Sequence, residues 1–492
     1  MPDRGPATTG ETELLDTAQA GPTAVRGALL RVAGYTAGVI LSVGSAALLF
    51  RHLGVVDGGR YVAVLALIGI VAGITDVGMT TIGIREMAVR PPHAREPLMR
   101  NLLGLRLVLT LVGIVGAVLF AVAAGYDHTM VVGTVLAGIG VVAIVLQTTL
   151  GIALQARLRF GWVTALDLIR QALTVAGIVV LVLAGAGLLP FLALTIPVGV
   201  AVLVLTAWIV REDVPLVPAF KPAEWRRLLR EVIPFAAATI IAAVYFRAAM
   251  IVLSVVSTPT ETGYFAAPFR ITEVLLIVPN LVVGAAFPIF ARAARDDQDR
   301  LAYGVQRVFQ ACVVLGGLLF VALLLGAPFA IEVVAGADFE PSVDVLRIQA
   351  LALALAFPNS VLFYVLLTLR RYGILLGLSI GVLLVNVILA AVLGAAHGAD
   401  GAAVATASAE LAALVAGLVA LRAVAPRVAP NLGVFLKVAL AAGGAALLLE
   451  TGLSSVVATA AGVVVYGAVV LSLRAVPREL LDALPLSSLR ER

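Results

Sequence analysis

The chain reads as a succession of apolar runs, each long enough to cross a bilayer and each ended by a short polar or glycine-rich break. A membrane-spanning helix needs about 20 consecutive apolar residues. Fourteen such runs can be marked, at approximately 28–50, 61–84, 101–125, 130–154, 161–183, 188–210, 232–256, 264–291, 307–331, 344–369, 372–394, 401–421, 432–449 and 453–473. Backbone groups in lipid must be satisfied internally, and these runs are far longer than barrel strands, so each is expected to be an α-helix. Composition agrees. Of 492 residues, 61% are hydrophobic and 13% charged, against about 25% charged in a soluble domain. The expected fold is an all-α polytopic membrane protein, with about fourteen transmembrane helices in two six-helix lobes plus two appended helices.

The distribution of basic residues tests this division. With the N-terminus inside, 28 of the 34 Lys and Arg residues fall in segments facing one side, and only Arg51, Arg60 and Arg347 fall in loops on the other. Such an excess marks the cytoplasmic side and places both termini there, in a multi-pass protein of the cell inner membrane. The net charge of +5 is thereby explained by topology, and no nucleic-acid partner is expected. The organisation is read as a disordered cytoplasmic tail over 1–27, an N-terminal lobe over 28–210 and a cytoplasmic linker over 211–231. A C-terminal lobe over 232–421, two further helices over 432–473 and a cytoplasmic tail over 474–492 follow. In the linker, Trp225, Leu228, Leu229 and Val232 share one helical face opposite arginines, the pattern of an interfacial amphipathic helix.

The two lobes carry an echo of each other. Leu53-Gly54-Val55-Val56-Asp57-Gly58-Gly59-Arg60-Tyr61 and Ser257-Thr258-Pro259-Thr260-Glu261-Thr262-Gly263-Tyr264 each set a Gly-Tyr-type element at the outer start of a helix. Six helices per repeat would give both lobes the same orientation, with a cavity between them.

Catalytic machinery is missing. There is no Walker A sequence, no Gly-x-Ser-x-Gly elbow, and His52, His93, His128 and His397 are scattered, so no metal site or cofactor is expected. The lone Cys312 reads as core packing. The outer loops are about a dozen residues at most, little room for an acceptor site. The chain is expected to move something rather than make it.

Seven ionisable residues fall within the spans: Asp76, Asp167, Arg170, Arg247, Arg270, Glu273 and Glu410. Each costs about 2.5–3.5 kcal/mol at a helix centre, so each should pair or face a wet cavity. Asp167 with Arg170, and Arg270 with Glu273, are i,i+3 neighbours able to neutralise one another. Arg247 has no acid within a helical turn and lies at a depth similar to Arg270. The two are the candidate clamp for an anion, since guanidinium forks suit phosphate oxygens, with a pairing of Arg247 to Glu410 as the alternative. Asp76 is expected to cap backbone groups where its helix breaks at Gly78. Glu410 is deep enough to be a candidate for sodium or proton coupling. Pro268, Pro279 and Pro358 are hinge candidates, because proline removes a backbone hydrogen bond and kinks a helix.

Four stretches in order along the chain carry a resemblance. They are Arg51-His52-Leu53-Gly54 through Tyr61 with Asp76-Val77-Gly78 and Arg85-Glu86-Met87-Ala88; Tyr245-Phe246-Arg247 with Thr262 through Arg270; Phe329-Ala330 through Asp338-Phe339-Glu340 and Val345-Leu346-Arg347; and Val385-Asn386 with Gly398 through Thr406 and Glu410. Together they resemble the polysaccharide/oligosaccharide flippase branch of the multidrug/oligosaccharidyl-lipid/polysaccharide exporter superfamily. The resemblance implies a flippase, not an enzyme, that moves a polyprenyl-pyrophosphate-linked oligosaccharide between leaflets by alternating access, with glycosyltransferases or a polymerase of the same pathway as partners. A lipid II flippase, a drug or organic-cation exporter, and a membrane enzyme of lipid-linked glycan assembly are the alternatives.

Overall fold

The computed structural model describes residues 20–476 apart from 77 and 158. The expected N-terminal tail lies outside these up to residue 19, and the chain is helical from Ala20. The C-terminal tail lies outside them from residue 477. The described residues form α-helices and two short 3-10 turns, with no strand.

Seven helices come first: α1 (Ala20–Asp76), α2 (Met79–Val89), α3 (Pro92–Ala123), α4 (His128–Ala156), α5 (Phe160–Leu183), α6 (Leu188–Ala193) and α7 (Thr195–Val210). Eight follow: α8 (Pro222–Val256), α9 (Pro259–Leu275), α10 (Ile277–Asp296), α11 (Gln298–Val334), α12 (Ser342–Thr368), α13 (Tyr372–Val424), α14 (Gly433–Ala446) and α15 (Ser455–Ser472). Eleven helices among the described residues are long and apolar enough to cross a membrane. Two long helices are bent into two legs, α1 at Gly54 (φ 70°) and α13 at His397–Gly398. The outer loop expected between the runs at 372–394 and 401–421 is therefore a kink.

Local chemistry sets the helix starts. Pro92, Pro222 and Pro259 occupy first-turn positions, where a missing N–H costs nothing. Asp127 accepts from Met130 N at 2.8 Å to cap α4, and Asp297 accepts from Arg300 N at 2.9 Å to cap α11. Each supplies an acceptor to an otherwise orphaned helix donor, worth about 1 kcal/mol.

Helices up to α7 pack on one another, as do α8 to α15, and the two bundles meet chiefly where α1 lies along α8 and α9. One end of the molecule gathers the basic loops: Arg157 and Arg159 both pair with Asp213, and Ala219 N donates to Arg100 O at 2.8 Å. At this basic end the linker lies on the N-terminal bundle. Leu228 is buried in a cluster with Leu98, Leu102, Leu103 and Val214, and Trp225 and Leu229 pack beside it. The apolar face expected to lie on the membrane is thus spent on protein, and the segment runs without a break into α8.

The opposite end holds the bundles together. The two Gly-Tyr elements noted in the sequence meet there back to back. A Cβ on Gly59 would lie 2.6 Å from Gly263 N and 2.7 Å from its Cα, so this approach requires glycine at both positions. Small residues that let helix backbones touch are a main source of association in lipid, where apolar side chains gain nothing by leaving the tails. Around this contact, Arg51 donates to Glu332 O at 2.7 Å, Phe50 meets Phe339 edge-on at 5.5 Å, and Tyr126 and Ser254 hydroxyls share a hydrogen bond. Apolar, aromatic and polar contacts thus close this end.

Candidate functional site

Beneath the closed end, α1, α5, α6 and α7 of the N-terminal bundle line a cavity of about 200 Å³. Its lining includes Ser42, Ser45, Tyr61, Arg170, Gln171, Thr174 and Thr195 from that bundle and Arg270 from α9. A second cavity of about 440 Å³ lies within the C-terminal bundle among α8, α9, α10, α12 and α13. Its wall is largely Leu, Ile, Val, Ala and Phe, with Glu273 and Glu410 as its only charges. A smaller space of about 50 Å³ adjoins it around Tyr245, Asn386, Thr406 and Glu410.

The division of charge between these spaces is the main feature of the site. The first cavity is lined by two guanidiniums and no carboxylate; the second by two carboxylates and no cation. Helix α9 makes the partition. Positions 270 and 273 are three residues apart, so Arg270 reaches one space and Glu273 the other while Arg270 Nη1 and Glu273 Oε2 stay 2.5 Å apart.

Glu273 also receives Arg247, whose Nη2 is 3.4 Å from Oε1. The arrangement is an Arg–Glu–Arg triad. The i,i+3 spacing announces its second half, while the link from α8 to α9 cannot be read from spacing. Arg247 does not pair with Glu410. Its guanidinium lies over the Phe246 ring, 5.4 Å from the centroid, and it lines none of the three cavities. The guanidinium that faces Arg270's cavity is Arg170. Its partner Asp167 stands 3.5 Å away and is itself well exposed, so the pair is loose and Arg170 keeps donors free. Sequence spacing presents Arg170 as self-neutralised; its distance from α9 along the chain conceals the shared cavity.

Glu410 is held by neutral donors. Tyr245 donates to Oε1 at 2.8 Å and Asn359 Nδ2 donates to Oε2 at 2.6 Å, with the same amide reaching the Glu410 backbone carbonyl at 2.9 Å. Asn386 Nδ2 in turn donates to Tyr245 O at 3.4 Å.

Asp76 differs from expectation. The helix does break, with Gly78 at φ 68°, but no side chain caps α2. Asp76 instead accepts from Arg106 Nη2 at 2.7 Å and from Thr80 Oγ1. Sequence reading leaves Arg106 among the loop arginines; α3 starts early enough, at Pro92, to bury it in the bundle, 2% exposed. A basic residue fourteen positions into a helix was the available signal.

The prolines divide likewise. The helix breaks at Leu276, between α9 and α10, three residues before Pro279, whose ring leaves the carbonyl of residue 275 without its helical partner. Pro268 and Pro358 sit inside uninterrupted helices.

The architecture, an apolar many-helix body in two bundles with an arginine-bearing cavity beside their junction, is that of a membrane protein of the flippase and transporter fold. Solved structures agree. The chain is similar to a lipid II flippase, MurJ, in an inward closed conformation, with a TM-score of 0.76 at 14% identity over 92% of this chain and 100% of that one. It is also similar to an inward-facing multidrug resistance MATE family transporter of the MOP superfamily (TM-score 0.57, 15% identity, 79% of this chain and 95% of that one). A further likeness is to the MATE multidrug transporter DinF-BH in a ligand complex (0.57, 17%, 81% and 96%). No curated protein matches significantly. The model of the polysaccharide biosynthesis protein family matches residues 24–294, more than half of the chain, and the chain belongs to that family.

Proposed function

We propose that this protein is a flippase that carries a lipid-pyrophosphate-linked oligosaccharide from the inner to the outer leaflet of the cell inner membrane by alternating access, for surface polysaccharide biosynthesis. The observation that carries this reading is the inter-bundle cavity, where Arg170 and Arg270 stand with no acid among the lining residues. Guanidiniums bind phosphate oxygens through paired hydrogen bonds. A pyrophosphate is therefore favoured there and repelled from the space lined by Glu273 and Glu410.

The basic end is taken as cytoplasmic. The contacts of Gly59, Arg51 and Phe50 would then close the outer side, and the cargo would load from within. The two legs of α1 and of α13, with the apolar helix α8, support the fourteen-span reading. Moving the negative headgroup outward across an inside-negative potential is downhill by ~2.3 kcal/mol per charge per 100 mV. Glycosyltransferases of the pathway would supply the cargo and a polymerase would consume it.

Depletion tests the reading. The expected result is lipid-linked oligosaccharide retained in the inner leaflet and loss of surface polysaccharide while cell-wall synthesis continues, with Arg170→Gln and Arg270→Gln reproducing it. Arrest of cell-wall synthesis instead would assign the cargo to the peptidoglycan precursor. A second reading has its own observation: the acid-bearing apolar cavity of the C-terminal bundle has the character of a site for an amphipathic organic cation. Hypersensitivity to cationic dyes on depletion, with polysaccharide intact, would select it.

A further inference from the structure

The wall of the arginine-bearing cavity is richer in hydrogen-bonding groups than phosphate recognition needs. Ser42, Ser45, Tyr61, Gln171, Thr174 and Thr195 line it, all from the N-terminal bundle. Three of these hydroxyls are oriented by donating to nearby backbone carbonyls: Ser45 to Ser42 at 2.9 Å, Thr174 to Arg170 at 2.8 Å and Thr195 to Leu192 at 2.9 Å. Their oxygen lone pairs remain free to accept. Gln171 and Tyr61 are different. Neither side chain has a hydrogen-bond partner among the described residues, yet Tyr61 is 9% exposed and lines the cavity. The Tyr61 hydroxyl opens on the cavity and the Gln171 amide is only partly buried, so both can bond an occupant.

We propose that this wall is the glycan-reading subsite, with the sugar next to the pyrophosphate lodged among Gln171, Tyr61 and the serine and threonine hydroxyls. The proposal rests on the flippase reading above and adds the place and residues that recognise the carbohydrate. Sugars present hydroxyl donors and acceptors around the ring, and an amide supplies both kinds of partner from one side chain. Tyr61 adds an aromatic edge to the same wall. The acid-bearing cavity also carries polar side chains, but Tyr245, Asn280, Asn359 and Ser360 donate to protein acceptors, and its two carboxylates disfavour a pyrophosphate beside them. Arg170 and Gln171 are consecutive on α5, so one helix turn can hold the phosphate and read the sugar.

The test places a photo-crosslinking residue, p-benzoylphenylalanine, in the full-length protein in its native membranes. It is introduced at Gln171, at Thr174 as a second position in the same wall, and at Phe363 in the C-terminal cavity. After irradiation the purified protein is digested and the adducts are weighed. The expected result is glycan-bearing adducts at 171 or 174 and none at 363. Glycan adducts at 363 with none at 171 or 174 would overturn the subsite and leave the flippase reading standing. Absence of glycan-bearing lipid from all three positions would overturn both. In parallel, Gln171→Leu is expected to lower surface polysaccharide about tenfold, the effect of losing one or two hydrogen bonds, with Gln171→Asn largely restoring it. Export by Gln171→Leu equal to wild type would also overturn the subsite.

Discussion

Arg247 and Gly69 meet across the two bundles. A Cβ on Gly69 would fall 2.5 Å from Arg247 Nε and 3.0 Å from its guanidinium carbon, so the arginine lies flat on a stretch of α1 that has no side chain. The contact explains why Arg247 faces neither of the two larger cavities: it joins α8 to the first bundle, and Glu273 holds it there.

Gly69→Val is therefore expected to push the bundles apart. Overpacking of a tight contact costs about 1–3 kcal/mol, enough to shift a two-state population about tenfold. Cys312 is the only cysteine and is buried, so Phe339→Cys can report on the seal without background. Phe339 is 1% exposed and covered by Phe50. Its labelling by a membrane-impermeant maleimide should be about tenfold faster with Gly69→Val than without. Equal rates would mean that the Arg247–Gly69 contact does not govern closure.

The Arg–Glu–Arg triad predicts an unequal series. Arg247→Ala leaves Glu273 with Arg270 at 2.5 Å, and its cost should be small. Glu273→Ala leaves two guanidiniums facing each other without a counter-charge. For a fully buried group such a loss costs about 3–5 kcal/mol, and partial exposure places Glu273 toward the low end. Thermal unfolding in detergent should rank Glu273→Ala well below Arg247→Ala, with Glu273→Gln between them. A larger loss for Arg247→Ala would show that its contacts with Phe246 and Gly69 outweigh the ion pair.

Much of the architecture was legible before any coordinates. Apolar run length gave the helices, because lipid leaves the backbone no other solution. The Gly-Tyr echo between residues 53–61 and 257–264 pointed to equivalent elements, and the structure shows them touching at Gly59 and Gly263. The site was legible only where its partners are close in sequence, as with Arg270 and Glu273. The Asp167–Arg170 pair expected from the i,i+3 spacing is present, but no local pattern tells that Arg170 also shares a cavity with Arg270, far along the chain. Arg106 was missed because a charge near a helix start resembles a loop residue until the start is known. Trp225 and Leu228 show the same limit: an amphipathic face states that something covers it, and whether lipid or protein does so depends on packing that no local pattern encodes.

Pro279 is expected to act as a hinge where Pro268 is not. The break at Leu276 separates α9, which carries Arg270 and Glu273, from α10. Pro279→Ala restores the missing backbone donor and should join the two helices into one stiffer rod. The expected outcome is normal or higher thermal stability with slower export, since a helix that must bend between states loses its bending point. Pro268→Ala, in an uninterrupted helix, should leave the export rate within about twofold. Equal rates for Pro279→Ala and wild type would assign the break a purely static role.

Glu410 supplies the last test, because its environment separates structure from energy coupling. Glu410→Leu would leave the Tyr245 hydroxyl as a buried donor without an acceptor, at about 1–3 kcal/mol, and the Asn359 amide with the backbone carbonyl of residue 410 alone. Its failure would say nothing about transport. Glu410→Gln keeps an acceptor oxygen and lets the Tyr245 hydroxyl accept from the new amide, so the packing of α8, α12 and α13 survives. If the membrane potential alone drives an anionic headgroup outward, at ~2.3 kcal/mol per charge per 100 mV, Glu410→Gln should export at near wild-type rate. In reconstituted vesicles both proteins should then respond alike to an imposed potential, with sodium and proton gradients absent. Loss of export in a stably folded Glu410→Gln, with wild-type export dependent on a sodium or proton gradient, would transfer the driving force from the potential to an ion held at Glu410.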